Sequence, residues 1–367
     1  MTRVRVSLLL VLACVLAVSL VGSLSFPVAA QAKIRVTHVV NGTLGDRSFF
    51  DSAQAGLEKA VTDLDIELKV IELGEDQARW EPGLDDAMAD TDNYDILVVG
   101  GSLVADYLVA RADQYPDKKF IFHDEPIDYT KCKCANVYNV VYAQNEGSYL
   151  AGAYAAMMMK EGKLANAAGK NTIGAIGGLD IPVINDFIVG YEQGAKSVIP
   201  EMTVLVQYVG GDKPFFDQAK GFEIAQAMYD QGADFIFNIA GGTGLGAIKA
   251  AKERGKYFIG VDSDQWALLK DSDPKAAETV YTSMVKDVGA TLYRALKLNA
   301  EGKLGYGKTE IVGIGEGAIG LARNEYFEKV TPEMVKAALA AAQADVVNCV
   351  VKVKTTLQER PCTPPVK

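Results

Sequence analysis

Residues 41–50, Asn-Gly-Thr-Leu-Gly-Asp-Arg-Ser-Phe-Phe, follow an apolar, β-branched run, Ile34–Val40 (IRVTHVV), and lead into an amphipathic stretch, Asp51–Thr62 (DSAQAGLEKAVT). Strand, glycine-bearing turn and helix in that order form the opening unit of a parallel α/β sheet. Gly42 and Gly45 permit tight turning. Asp46 and Ser48 suit a helix cap and first turn. Phe49 and Phe50 put two rings at the carboxyl end of a strand, where open parallel sheets hold ligands. An ordinary βα turn with core phenylalanines has the same local pattern, so the rest of the chain decides the reading.

The unit recurs. Predicted strands Ile66–Ile71, Tyr94–Val99, Lys119–His123 and Val137–Val141 alternate with predicted helices Pro82–Asp90 and Leu103–Gln114. A second series begins with the helix Glu146–Met159. It continues through strands Thr172–Ile176, Thr203–Val209, Phe235–Ile239 and Tyr257–Val261, with helices Val183–Val198, Phe216–Gln231 and Leu245–Arg254 between them. Strand Thr279–Ser283, helix Val285–Asn299, strand Glu310–Gly313 and helix Pro332–Ala342 close the molecule, and 352–367 reads as a mobile or disulfide-tethered tail. No low-complexity linker separates the series, so two doubly wound lobes joined by crossing strands are expected, with a hinge and a cleft. The expected division is 33–143 plus about 265–308 for lobe one, 144–264 plus about 309–345 for lobe two, and 346–367 for the tail.

The chain has 367 residues and a formal charge of −10. That length is too great for one small core. An acidic balance argues against a nucleic-acid or anionic-membrane surface. Residues 1–32 read as a signal peptide: Arg3 and Arg5, an uncharged apolar run over Ser7–Leu24, Pro27, and Ala30-Gln31-Ala32 before Lys33. The run is long enough to span a membrane, but Pro27 and the small residues favour cleavage and export. Val11-Leu12-Ala13-Cys14 departs from a lipobox at Leu12, so lipid attachment at Cys14 is the less favoured alternative. Removing 1–32 leaves a charge of −12. Four cysteines remain, Cys132, Cys134, Cys349 and Cys362. Cys349–Cys362 would staple the tail. Cys132-Lys133-Cys134 is too short for a relaxed loop, which opens cross-pairing of the two groups. The two histidines, His38 and His123, show no metal-ligand spacing with these cysteines.

Asp46, Asp124 and Asp262 each lie at or beside a strand end. They can accept hydrogen bonds from hydroxyl or ring N–H groups, although turn and cap roles suit each one singly. Gly241-Gly242-Thr243-Gly244-Leu245-Gly246 has glycines for close backbone approach but lacks the lysine of a P-loop. Phe49, Phe50, Phe187, Phe215 and Phe216 are candidate platforms for a planar ligand. No G-x-S-x-G, no cysteine–histidine pair and no metal-binding helix occurs, so catalysis has no positive support, and no cofactor or metal is expected.

These segments resemble the basic membrane protein family, which includes purine-nucleoside-binding proteins of bacterial ABC transporters. Over about residues 34–325, the matching stretches are Asp46-Arg47-Ser48-Phe49, Asn145–Gly152, Gly177–Pro182 with Phe187, Ala240–Gly246, Gly260–Gln265 and Thr282–Lys286. The resemblance implies a type I periplasmic-binding-protein fold with two Rossmann-like lobes joined by a hinge. It implies a base stacked between Phe49 and either Phe215 or Phe216. Asp124 would contact the base, and Asp262 and Lys286 the sugar hydroxyls, with Asn41 and Asp46 beside them. It also implies a permease and an ATPase as partners of a monomeric, exported protein. Two departures stand out. Phe50 replaces the family's asparagine, and Gly210–Asp217 (GGDKPFFD) is longer than its counterpart. Both leave room for a larger heterocycle such as riboflavin. An extracytoplasmic sensing domain is the alternative to import.

Overall fold

In a computed structural model, which describes residues 33–361, the strands form two six-stranded sheets. The first contains β1 (Arg35–Val40), β2 (Glu67–Glu72), β3 (Ile96–Gly100), β4 (Lys119–His123) and β5 (Val137–Tyr142). The second contains β6 (Thr172–Gly177), β7 (Thr203–Tyr208), β8 (Phe235–Ile239), β9 (Tyr257–Asp262) and β10 (Val280–Lys286). β11 (Lys308–Val312) then adds to the edge of the first sheet, parallel to β5, and β12 (Ile319–Leu321) to the second, antiparallel to β10. The orders are β2-β1-β3-β4-β5-β11 and β7-β6-β8-β9-β10-β12. Central strands β3, β8 and β9 are buried throughout, as strands covered by helices on both faces must be.

In each sheet the chain winds outward one way and then the other, so a crevice forms beyond the strand ends where the winding reverses. That point lies between β1 and β3 in the first lobe and between β6 and β8 in the second. The turn 41–50 fills the first crevice, and Gly178 with Gly241 borders the second.

The division of the later chain differs from expectation. β10 sits in the second sheet although 265–308 was assigned to lobe one, and β11 sits in the first although 309–345 was assigned to lobe two. Strand pairing is set by partners far away in sequence, which a local apolar pattern does not encode. The chain crosses between the sheets at 143, at 287 and over 313–318. These crossings bond one another: Ala143 N donates to Val312 O at 2.8 Å, and Asp287 N to Ala318 O at 2.8 Å.

The tail is docked, contrary to a mobile reading of 352–361. Thr355 Oγ1 and Thr356 N both donate to Asp186 Oδ1, at 2.6 and 2.9 Å. Arg360 bridges Glu146 at 2.7 Å and Glu316 at 2.7 Å, gripping two of the crossings. Cys132 and Cys134 are bonded to each other, Cα to Cα 5.3 Å, so the short spacing closes within itself rather than cross-pairing. The signal peptide, Cys14 and Cys362, and with it the Cys349–Cys362 pairing, lie outside the described residues.

Candidate functional site

The helix Phe49–Leu64 begins at the decisive turn. Ser48 occupies its N-cap position but makes no capping bond; Asp46 does that work. Its carboxylate accepts from the backbone N–H groups of Ser48, Phe50 and Asp51 at 3.0, 3.0 and 3.1 Å. Burial pushes its pKa up to about 7, against the pull of those three bonds. Freed from capping, Ser48 Oγ donates to Asp262 Oδ2 in the second lobe at 2.6 Å. Ser263 Oγ returns a bond to Ser48 O at 3.1 Å, and Arg47 Nη1 reaches Leu268 O at 3.1 Å. The lobes therefore stand closed on each other along this edge.

Behind that edge is a cavity of about 90 Å3, below the few hundred Å3 usual for ligand clefts. Its lining includes Asn41, Asp46, Phe49, Phe50, Asp124, Phe187, Phe215, Phe216, Gly241, Asp262 and Lys286. Eleven of the twelve residues singled out from the sequence thus meet around one space. Gly242 does not line it; it lies beside the cavity, where an added methyl group would stand 3.5 Å from Asp46 in ordinary contact.

Lys286, at the end of β10, is the centre of charge. Its Nζ lies 2.6 Å from Asp124 Oδ1 and 3.7 Å from Asp262 Oδ1. All three residues are buried. Burial alone would lower the lysine pKa, but the two carboxylates outweigh it and hold the ammonium charged. Burial raises Asp262 despite Lys286 and Ser48. The ammonium also sits over the rings of Phe49, Phe187 and Tyr142, at 4.9, 5.0 and 5.5 Å. Asp124 and Asp262 hold left-handed backbone, φ 84° and 63°, one at the mouth of each sheet. Asn and Asp tolerate that region better than other side-chain-bearing residues do, and its use at both strand ends marks a constrained site. Among the described residues, neither buried Asn41 Oδ1 nor buried Asp262 Oδ1 has a hydrogen-bond partner.

The aromatic residues divide the roles. Phe49 packs on His123, ring centroids 5.2 Å apart, and edge-on to Phe50 at 5.3 Å. Phe215 rests against Gly178, where no side chain would fit. The parallel pair across the cleft is Phe50 and Phe216, 6.2 Å apart and 4° from coplanar orientation. Phe187 lines the floor, itself almost fully buried and packed on Phe237. His38 and His123 are buried in β1 and β4. Burial takes the first down to about 4 and the second well below its ordinary value, so both stay neutral.

Sequence reasoning missed nine lining residues, Trp80, Ser102, Leu103, Ile181 and Ile184 among them. Ser102 had a signal, since Gly100-Gly101-Ser102 ends the strand at the reversal point of the first sheet. Trp80 had none, because it enters from a separate helix, Trp80–Ala89. The arrangement offers carboxylate and amide acceptors with one ammonium at one side, and aromatic and aliphatic surface at the other.

Residues 33–354 match the family model described as ABC transporter substrate-binding protein PnrA-like. Basic membrane protein A of Borreliella burgdorferi is 34% identical over 303 residues, covering 79% of each chain. The ABC transporter nucleoside-binding protein BmpA of Lactococcus lactis is 34% identical over 270 residues, covering 71% of each. Among solved structures, an ABC transporter solute-binding protein of Aeropyrum pernix superposes with a TM-score of 0.74 at 25% identity, over 89% of this chain and 94% of the other. A periplasmic solute-binding protein of Actinobacillus succinogenes with bound D-allose gives 0.60 at 13% identity, over 81% and 100%. That second likeness is one of fold.

Proposed function

The chain belongs to the PnrA-like family of ABC transporter substrate-binding proteins, and from that membership we propose that its solute is a purine nucleoside. The solute-binding role within an ABC transporter follows from the family. The identity of the solute rests on one observation above all, the Asp124–Lys286–Asp262 cluster facing an aromatic wall. Ribose hydroxyls pair with carboxylate acceptors and an ammonium donor, and a neutral purine ring takes the faces of phenylalanines.

In this reading Phe49 of the first lobe and Phe215 of the second flank the base. Asp124 accepts from a ring N–H. Asp262 and Lys286 hold the sugar hydroxyls, with Asn41 Oδ1 open to a further donor. The name of the Lactococcus lactis relative supports a nucleoside. The protein acts as a monomeric binder rather than an enzyme, outside the cytoplasmic membrane after loss of 1–32, and delivers its solute to a permease driven by an ATPase. Isothermal titration with inosine, guanosine, adenosine and riboflavin tests this. Saturable binding of at least one purine nucleoside is expected; no heat with any of the four overturns the assignment.

A further inference from the structure

The loop between β7 and the helix Gln218–Asp230 belongs to the second lobe but makes contacts in the first. Lys213 Nζ lies 2.8 Å from Glu75 Oε2. Gln77 Nε2 donates to Asp212 O at 3.2 Å. The Phe216 ring lies parallel to Phe50, over Gly42. A methyl group on Gly42 would come within 2.5 Å of Phe216 and 2.7 Å of Phe50, so the pair occupies a notch that only glycine leaves open. In its own lobe the loop is held firmly. Phe215 O accepts from Thr243 N at 3.2 Å, Phe216 N donates to Lys213 O at 3.1 Å, and Asp217 caps the following helix through Lys220 N at 2.9 Å. It is therefore a stiff projection, and it moves with the lobe that carries it.

We propose that Gly210–Asp217 is a latch, and that the Phe50–Phe216 stack it makes on closure determines which solutes are retained. The cavity behind the stack is small and both rings line it, so a solute that outgrows it meets the pair. A compact ring system lets Phe216 return to the Gly42 notch. A wider one, such as a tricyclic isoalloxazine, holds Phe216 away and leaves the cleft unlatched. The Lys213–Glu75 pair is half exposed and adds modestly to holding the loop closed. The retentive contact is the aromatic one, between buried Phe50 and half-buried Phe216. The choice of compact solute rests on the nucleoside reading; the latch itself does not.

The test measures interlobe distance by paired spin labels, one per lobe, in ligand-free protein and with inosine. It is run on the parent, Phe216→Ala, Lys213→Glu and the exchange Glu75→Lys with Lys213→Glu. Without ligand, Lys213→Glu lowers the closed population and the exchange restores it. With inosine, Phe216→Ala raises the dissociation rate about tenfold, the order expected for losing one aromatic contact, and narrows the difference in dissociation rate between inosine and riboflavin. An exchange variant that stays as open as Lys213→Glu, or a Phe216→Ala protein with parental closure and release, overturns the latch. Failure of inosine to bind any variant would strike the nucleoside reading, while the ligand-free distances still decide the latch.

Discussion

Lys286 decides the chemistry of the cleft. Two buried carboxylates share one buried ammonium, and removing it leaves both without compensation. Lys286→Met should lower stability by roughly 3–5 kcal/mol and abolish solute binding, read by thermal melting and titration. Asp46 adds a pH dependence. Its pKa rises from the ordinary 3.8 to about 7 because the fold buries it. The protonated form is thus favoured on folding, so folding takes up a proton between those values. Its contribution is fully present below pH 3.8 and is lost as pH rises through about 7. Stability should therefore fall from mildly acidic pH to neutrality as far as this group contributes, and level off above it. Asp46→Asn should flatten that profile, at the expense of part of the helix cap, as urea unfolding at stepped pH would show. At this scale the sequence was informative. Asp46, Asp124 and Asp262 were visible as acids at strand ends, since strand ends can be read locally. That Ser48 bonds Asp262 rather than its own helix was not visible, because that bond joins residues 214 apart.

Among the elements, helices and strands followed from apolar periodicity and caps. Lys119–His123 and Phe235–Ile239 were read to the residue. The boundary near 285 was not: β10 runs on to Lys286, and Asp287 caps the helix Val288–Ala300 by accepting from Ala290 N at 2.8 Å. That helix packs on Phe49–Leu64 through Gly56 and Gly289, which touch backbone to backbone. Gly56→Val has nowhere to place its side chain and should cost about 2–3 kcal/mol by overpacking, seen as a lower urea midpoint. Because this helix carries the binding turn at its start, solute affinity should fall as well. The short strand Ile319–Leu321 escaped notice, being three residues that pair, among the described residues, with β10 alone.

For the whole molecule, the two-lobed plan followed from recurrence of the strand–turn–helix unit, whereas the division of the late chain did not. Residues 288–312 return to the first lobe after β10 has joined the second, a path fixed by packing. The docked tail was likewise hidden, since Asp186, Glu146 and Glu316 lie far from it in sequence. Arg360→Ala should lower the melting temperature, with a loss of about 2 kcal/mol from leaving the buried Glu146 short of a charged hydrogen-bond partner. By loosening two crossings it should also raise the open population, measured by small-angle scattering. The central claim is that a flat ring is held between the lobes with its hydroxyls on the charged cluster. A crystal structure of the protein with inosine tests it most directly. The account predicts the purine against Phe49 and Phe215, with the ribose within hydrogen-bond reach of Asp262 and Lys286. A purine lying clear of Phe49, Phe215 and Phe216, or a ribose turned away from the cluster, would contradict it.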